Sequence, residues 1–350
     1  MTRQRTVLLA VASIVVVAAI SASARSAPSA ESAGGPVTRG SGGPQPVVLA
    51  FGGDVHFEGT LRARLDASPS TTLAPIAPLL RRADVAMVNL ETAVTTRGAP
   101  QTKEFVFRAP PTAFAALRGA SVDVATMANN HGLDYGRAGL TDSLAAARRY
   151  RFPVVGIGRN ATQAYAPYRV TVNGQRIAIL GATQVIDDEL IRSWTAERHA
   201  PGLASAKDVP RLLAAVRRAR RTADTVVVYV HWGVELKSCP TAVQRKLAYQ
   251  LVAAGADVIV GSHAHVLLGG GRLGTAVVDY GLGNFAFYAT REETTRSGVL
   301  FVTMTSRHVD DYHWAPARIV GGVPHPLSGA ARTAARDSWR SLRGCTGLGR

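Results

Sequence analysis

Val47-Val48-Leu49-Ala50-Phe51-Gly52-Gly53-Asp54-Val55-His56 reads as a buried strand that runs into a glycine pair and then into two metal-ligating residue types. The apolar run is short, rich in β-branched and aromatic side chains, and bounded by turn residues. Asp54 and His56 stand two positions apart, so an extended backbone projects them to the same side. Gly52 and Gly53 permit a tight turn and a close ligand approach. An Asp-x-His pair alone is common and decides little. Its weight comes from recurrence, because four more apolar runs end the same way. Residues 85–90 lead into Glu91, and residues 122–127 into Asn129-Asn130-His131. Residues 226–230 lead into His231-Trp232-Gly233, and residues 258–260 into Gly261-Ser262-His263-Ala264-His265.

Helical patterns fall between these strands. They are read at 73–82, 111–118, 140–150, 209–221 and 242–253. Alternation of strand and helix indicates an α/β domain with a largely parallel centre. In such sheets ligands bind beyond the carboxyl ends of the strands, where all five clusters sit. A further strand is read at 154–157. Asn173-Gly174 marks a type I′ turn between strands at 168–172 and 176–181. Residues 184–207 are polar and irregular and read as a lid or entrance loop. Later strands are read at 275–280 and 299–305, with 312–319 antiparallel to the latter. The segment after Gly329 reads as a loose basic helix.

Five imidazoles, two carboxylates and one carboxamide at one sheet edge suit borderline divalent cations such as zinc, manganese or iron. His263 and His265 form the sharpest local signal, a ready chelate after a strand and a glycine. A carboxylate at Glu91 can share its two oxygens between two cations. Asn130 offers a neutral amide oxygen. His131 can ligate or act as a general acid, and Asp134 is placed to orient its ring. A lone His at a strand end is more often structural, so His231 counts only in company. Glu235 is placed to support a ligand, and the Tyr280-Gly281-Leu282-Gly283-Asn284-Phe285 loop to present Asn284 or backbone N–H groups to substrate.

The chain has 350 residues and a formal net charge of +16. Arginine carries it, since Lys103, Lys207, Lys237 and Lys246 are the only lysines. Such a balance has two readings: a coding bias towards arginine, or an anionic partner such as a wall polymer, an acidic polypeptide, a phosphate ester or a membrane surface. No zinc finger, RNP-like motif or basic heptad helix is present, so nucleic acid is not expected. Arg3 and Arg5, the apolar stretch 7–20 and Ala22-Ser23-Ala24 read as a signal peptide, with an uncleaved anchor as the other reading of residues 1–24. Residues 25–46 read as a disordered linker and 47–326 as the domain, followed by a basic tail, 327–350. The chain is therefore expected to be exported. In that setting its two cysteines, Cys239 and Cys345, are expected to pair.

Taken in order, these clusters resemble the calcineurin-like dinuclear metallophosphoesterase superfamily. More closely they resemble its CapA branch, the capsule-synthesis or poly-γ-glutamate-synthesis proteins. The resemblance is carried by Gly53-Asp54, Asn89-Leu90-Glu91, Phe107-Arg108-Ala109-Pro110, Asn129-Asn130-His131 with Asp134 and Gly136, and His231-Trp232-Gly233 with Glu235. It continues through Gly261-Ser262-His263-Ala264-His265-Val266 and Gly281-Leu282-Gly283-Asn284-Phe285, and spans about residues 47–326. It implies a four-layer αββα sandwich of two mixed sheets flanked by helices. It implies two divalent metal ions: Asp54, His56 and His265 on the first, Asn130, His231 and His263 on the second, with Glu91 bridging. It implies His131 as the proton-handling residue and Arg108 and Asn284 as substrate contacts. The sequence departs from the pattern at Glu91, where the superfamily usually has Asp, and at Ala264, where the CapA branch commonly has Pro.

The function so implied is a metal-dependent hydrolase or transferase in capsule or poly-γ-glutamate synthesis or export. It would act on an anionic polymer or a phosphoester beside a membrane-bound synthase. Two rivals differ in class. One is a non-catalytic accessory protein that holds the polymer or the synthase. The other is an extracellular phosphatase or nucleotidase.

Overall fold

In the computed structural model, which describes residues 44–350, the Val47–Val55 strand places alternate side chains in two different cores. Val47, Leu49 and Phe51 face one core and Ala50 faces another. The same parity runs through Val85–Leu90, where Val85 and Met87 join the first set and Ala86, Val88 and Leu90 the second. In Thr225–Trp232, Val227 and Tyr229 enter the core that Phe51 occupies, whereas Val226, Val228 and Val230 face a third. Strands apolar on both faces are strands covered on both faces. Three cores separated by two sheets therefore make four layers.

The first sheet runs Val323–Pro326, His308–Val320, Arg296–Thr305, Val47–Val55, Val85–Leu90, Val124–Thr126, Val154–Val155. Asn284–Ala286 lies parallel against the end of Val47–Val55. The second runs Gly270–Leu273, Ala276–Asp279, Val258–His263, Thr225–Trp232, Gln175–Thr183, Tyr168–Val172. Both are mixed: Val47–Val55 pairs parallel with Val85–Leu90 and antiparallel with Arg296–Thr305, and Ala276–Asp279 pairs parallel with Val258–His263 and antiparallel with Gly270–Leu273. Helices Thr60–Ala67, Ala113–Gly119 and Gly136–Arg149 cover the first sheet through Leu61, Leu65, Phe114, Leu117 and Leu140. Helices Val209–Arg220 and Ala242–Ala254 cover the second through Leu212, Val216, Leu247 and Leu251. The α/β class is the one the alternation of strand and helix indicated, and the four-layer arrangement of two mixed sheets is the one the family resemblance implied.

Several local expectations shift. The helix read at 73–82 is one turn, Ala77–Leu80, after a 3-10 turn at Pro69–Thr71. Pro78 has no N–H to donate back one turn, so it is confined to the first turn and the helix starts at Ala77. The strand read at 154–157 breaks at Gly156, whose φ is +82°. A Cβ there would meet the Ala128 Cβ at 2.4 Å. Beyond the break Ile157–Gly158 leaves the sheet and pairs with Gly202–Leu203, inside the segment read as a lid. The hairpin turn at Asn173-Gly174 has positive φ at both residues, +51° and +77°, as a type I′ turn needs.

The tail read as loose is docked. Trp339 of the Gly329–Ser341 helix stacks on Trp314 with centroids 5.8 Å apart, and its Nε1–H donates to Asp279 at 3.3 Å. Cys345 is joined to Cys239 by a disulfide with Cα atoms 5.7 Å apart. Gly349 then pairs with Arg272 at the edge of the second sheet. The expected leader and most of the linker, residues 1–43, lie outside the described residues.

Candidate metal centre

The parallel strands of both sheets deliver their carboxyl ends to one place. Asp54 ends Val47–Val55, Glu91 follows Val85–Leu90, His231 lies in Thr225–Trp232, and His263 ends Val258–His263. Asn130 and His131 come from the loop after Val124–Thr126. Gly53 allows the first strand to lie against the Asn284 loop, because a Cβ there would fall 1.8 Å from the Gly283 carbonyl oxygen. His263 and His265 both hold positive φ, +100° and +57°. Backbone held in that region by non-glycine residues is costly, and such costs gather where side chains must be aimed.

Two clusters result, and they share one residue. Glu91, His231 and His263 bring ligand atoms within 4.8 Å of one another, and so do Asp54, Glu91 and His265. A third set, Glu235 with His263 and His265, meets the same limit at the outer edge. His231 Nε2 lies 3.3 Å from Glu91 Oε1 and 2.8 Å from Asn130 Oδ1. His265 Nδ1 lies 3.6 Å from Asp54 Oδ2. A carboxamide relay supports the set: Asn89 Nδ2 donates to Asp54 Oδ1 at 2.8 Å, and Asn129 Nδ2 donates to Asn89 Oδ1 at 2.9 Å.

The electrostatics match a cation-binding centre. Glu91 is fully buried, and neither of its oxygens has a hydrogen-bond partner. Burial and then the nearby Asp54 push its carboxyl well above the usual range. An unpaired buried carboxylate costs several kcal/mol, on the order of the penalty for any uncompensated buried ion. Burial holds His231 down to about 3 and His263 well below the ordinary imidazole value, so both keep neutral rings with lone pairs to give. His263 Nδ1 is buried and unpartnered as well. For His265 burial opposes the charge, but the Glu91 and Asp54 carboxylates outweigh it and raise the imidazole. The donor set fits divalent cations of the zinc, manganese or iron class.

Residues 48–289 match the family described as Bacterial capsule synthesis protein PGA_cap. The chain belongs to this family. The chain is 31% identical over 255 residues to the PGA biosynthesis protein CapA of Bacillus subtilis (strain 168), over 72% of this chain and 66% of that one. It is 34% identical over 220 residues to the Capsule biosynthesis protein CapA of Bacillus anthracis, over 61% of this chain and 52% of that one. The chain thus spans about half to two thirds of the length of these relatives. A crystal structure of a hypothetical protein from Thermus thermophilus shares the fold, with a TM-score of 0.50 at 18% identity over 78% of this chain and 100% of that one.

In this PGA_cap chain not every implied site residue reaches the shared cluster. His56 lies outside the three metal-compatible sets, boxed by Phe107, Phe287 and Tyr288 with centroids 4.8, 4.0 and 4.4 Å away. Its Nδ1 and Nε2 face the backbone N–H groups of Glu58 and Tyr288 at 3.0 and 3.2 Å. The Arg108 guanidinium stacks over Tyr135 at 4.6 Å rather than lining the cleft. Asn284 lines the cleft, but its carboxamide holds His265: Oδ1 is 2.8 Å from His265 Nδ1, and Nδ2 donates to the Thr294 carbonyl at 3.1 Å.

His131 and Asp134 do meet, with Nδ1 and Oδ2 2.6 Å apart. Burial pulls the His131 ring down to about 4 even though Asp134 favours its charge. Asp134 is held in turn by the Phe107 N–H at 2.6 Å and by the Lys103 ammonium at 2.9 Å. Phe107 stacks on His131 at 4.0 Å, which places one ring between the two histidines. Sequence reasoning misses Lys103 as a site residue. Its only sequence signal is scarcity, a lysine where the chain otherwise uses arginine.

Proposed function

We propose that this chain is a metal-dependent hydrolase or transferase that works outside the cell in synthesis, export or wall attachment of an anionic capsule polymer of the poly-γ-glutamate kind. The observation that carries the reading is Glu91, buried, unpartnered and common to both ligand clusters. Names of the Bacillus relatives supply the polymer setting. The Cys239–Cys345 disulfide suits an oxidising compartment.

Divalent cations bound there would polarise the substrate and make a hydroxide available near neutral pH. The remaining work falls to the chain itself. Asp134, fixed by Lys103 and the Phe107 amide, accepts the Nδ1–H of His131 and so sets its tautomer. His131 Nε2 then faces Glu91 Oε1 at 4.0 Å, where it can take or return a proton at the reacting bond. Asn284 keeps the His265 ring aimed at Asp54. A cleft of 530 Å³ opens beside these groups and admits substrate past Phe107, His131 and Tyr288.

The accessory reading, polymer binding without turnover, draws on one observation: His56, an implied ligand, turns both ring nitrogens to backbone N–H groups, only one of which it can accept from, and lies outside the metal-compatible sets. One experiment separates the readings. Metal content is measured by plasma mass spectrometry for the purified protein and for His263→Ala/His265→Ala. Turnover is then followed with a chromogenic phosphodiester, a phosphomonoester and a γ-glutamyl anilide. Bound metal lost in the variant, with turnover of the diester or the amide, supports the hydrolase. Fast monoester turnover alone supports a phosphatase. Metal without any turnover, or no metal after reconstitution, supports the accessory protein.

A further inference from the structure

The cleft and the charge of this chain lie in different places. Around the cleft mouth Lys103 and Arg291 face Glu104, Asp187 and Glu235, so the rim is not basic. The positive charge gathers instead along the docked Gly329–Ser341 helix. Arg332, Arg336 and Arg340 recur at every fourth residue, which puts them on one face about 6 Å apart along the axis. Two adjoining depressions lie between that face and the His308–Val320 strand. One, of 290 Å³, is lined by Arg82, Arg332 and Arg336. The next, of 210 Å³, is lined by Arg336, Arg340, Arg343 and Arg350. They share Arg336, His313 and Trp314. Towards the active cleft a third, of 310 Å³, carries Arg296 and Arg318 and ends on the Glu292–Thr295 turn. The neighbouring Arg291 and Thr294 line the cleft itself. The arginines therefore border the helix on both flanks, the two flanks meeting at Trp314, Pro316 and Leu327, and the flank with Arg296 and Arg318 reaches the cleft rim; together they form a track.

Little of this charge is spent within the chain. Arg340 pairs with Asp337 at 3.2 Å and Arg296 with Glu292 at 3.0 Å, all side chains close to half or more exposed. Exposed pairs of this kind hold weakly and exchange readily. Among the described residues Arg82, Arg332, Arg336 and Arg350 form no ion pair with a carboxylate. The helix that presents them is held at its far end by Trp339 and by the Cys345 bridge, so binding would not first have to order it.

We propose that this arginine track is a binding site for a linear polycarboxylate, separate from the metal cleft and leading to it. Guanidinium forks match carboxylates two bonds at a time, and a row of them matches a row of carboxylates. A γ-linked glutamate adds five backbone bonds per residue where an α-peptide adds three, and carries its free carboxylate on Cα, so an extended chain spaces successive carboxylates about 6 Å apart, close to the arginine spacing on the helix. A single-stranded nucleic acid would need exposed rings to stack on. Trp314 and Trp339 are instead buried against each other. The link from track to cleft rests on the proposed hydrolase or transferase function; the binding does not.

The test is fluorescence anisotropy with end-labelled poly-γ-glutamate of narrow length, at about 50 and about 200 mM salt. Arg332→Gln/Arg336→Gln/Arg340→Gln is compared with a charge-matched control, Arg149→Gln/Arg217→Gln/Arg218→Gln, on the Gly136–Arg149 and Val209–Arg220 helices. The track variant is expected to weaken binding about tenfold or more and to flatten the salt dependence, and the control to change it less than about twofold. Arg82→Gln lies off the helix, so it should weaken binding even if the triple variant misfolds. Equal weakening by both triples, or no effect of Arg82→Gln, overturns the site. So does an oligothymidylate of equal charge that binds as tightly. If the wild type turns over no small substrate while binding follows the track, the proposed catalysis fails and the site stands.

Discussion

Glu91 Oε1 lies 3.3 Å from His231 Nε2, and no hydrogen bond reaches either oxygen of that carboxylate. Removing its charge should therefore act in opposite directions on metal and on fold. Glu91→Gln is expected to lose most bound metal, because the residue is common to both clusters. Metal-free Glu91→Gln should melt higher than metal-free wild type near neutral pH, by an amount on the order of 1–3 kcal/mol, because burial and Asp54 disfavour the charged carboxylate and the amide removes that penalty. Plasma mass spectrometry and melting in chelator check the two halves. A metal-free variant that melts lower would show that Glu91 is satisfied by something other than a cation.

Asp134 touches no part of the metal clusters but fixes His131 and is fixed by Lys103. Asp134→Asn keeps the shape and offers Nδ1 the wrong hydrogen-bonding group on one side. The expected result is a fall in turnover of about 100- to 10,000-fold with metal content unchanged. The check is kcat on the chromogenic substrate beside metal stoichiometry on the same preparation. Loss of metal in step with activity would make Asp134 a structural support of the ligand loop rather than the positioning residue for His131.

The strand ends were legible because each strand is an uninterrupted apolar run and each cluster follows one directly, as at Val230 and His231. Thr60–Ala67 was not legible: only Leu61 and Leu65 are buried among polar neighbours, too few to print a helical period. The bridge that pins the tail was legible from the two cysteines, but the docking of its helix was not, because Trp339 alone of Gly329–Ser341 is buried. Within the centre, residue types announced the ligands but not their direction. Nothing in the spacing of Asp54 and His56 says that Phe107 and Tyr288 box the imidazole in, because those residues are distant in the chain. Lys103 and Asp134 likewise meet across a loop, and sequence periodicity does not report such encounters.

The Cys239–Cys345 bridge closes a long segment, with a sequence separation of 106, and fastens the tail to the loop after His231. In the chain-entropy picture a loop of that length is worth up to about 4–5 kcal/mol, and measured values commonly fall near 2–4. Cys239→Ser/Cys345→Ser should accordingly melt several degrees lower than wild type. Wild type in reductant should fall to the level of the variant, and reductant should not move the variant further. A wild-type melting point indifferent to reductant would mean that the strap is held by Trp339 alone.

Asp279 sits fully buried under the tail, accepting hydrogen bonds from the Gly281 N–H at 3.0 Å and Trp339 Nε1 at 3.3 Å. Burial raises its carboxyl to about 7, against the lowering effect of both donors. An unfolded Asp titrates near 3.9. Below that value both states hold the proton, and the folded protein carries no penalty. As pH rises from about 4 to about 7 the unfolded chain gives up its proton first, so stability falls through that window and is level above it. Asp279→Asn cannot ionise. Its carboxamide offers one acceptor oxygen to the two donors, and the hydrogen bond so lost adds a constant that does not vary with pH. The melting temperature of the variant minus that of wild type should therefore rise from pH 4 to pH 7 and then flatten. Melting curves in matched ionic strength across that range are the check. A difference that stays level would mean that Asp279 ionises in the folded protein as easily as in the unfolded one, which its burial against Trp339 does not allow.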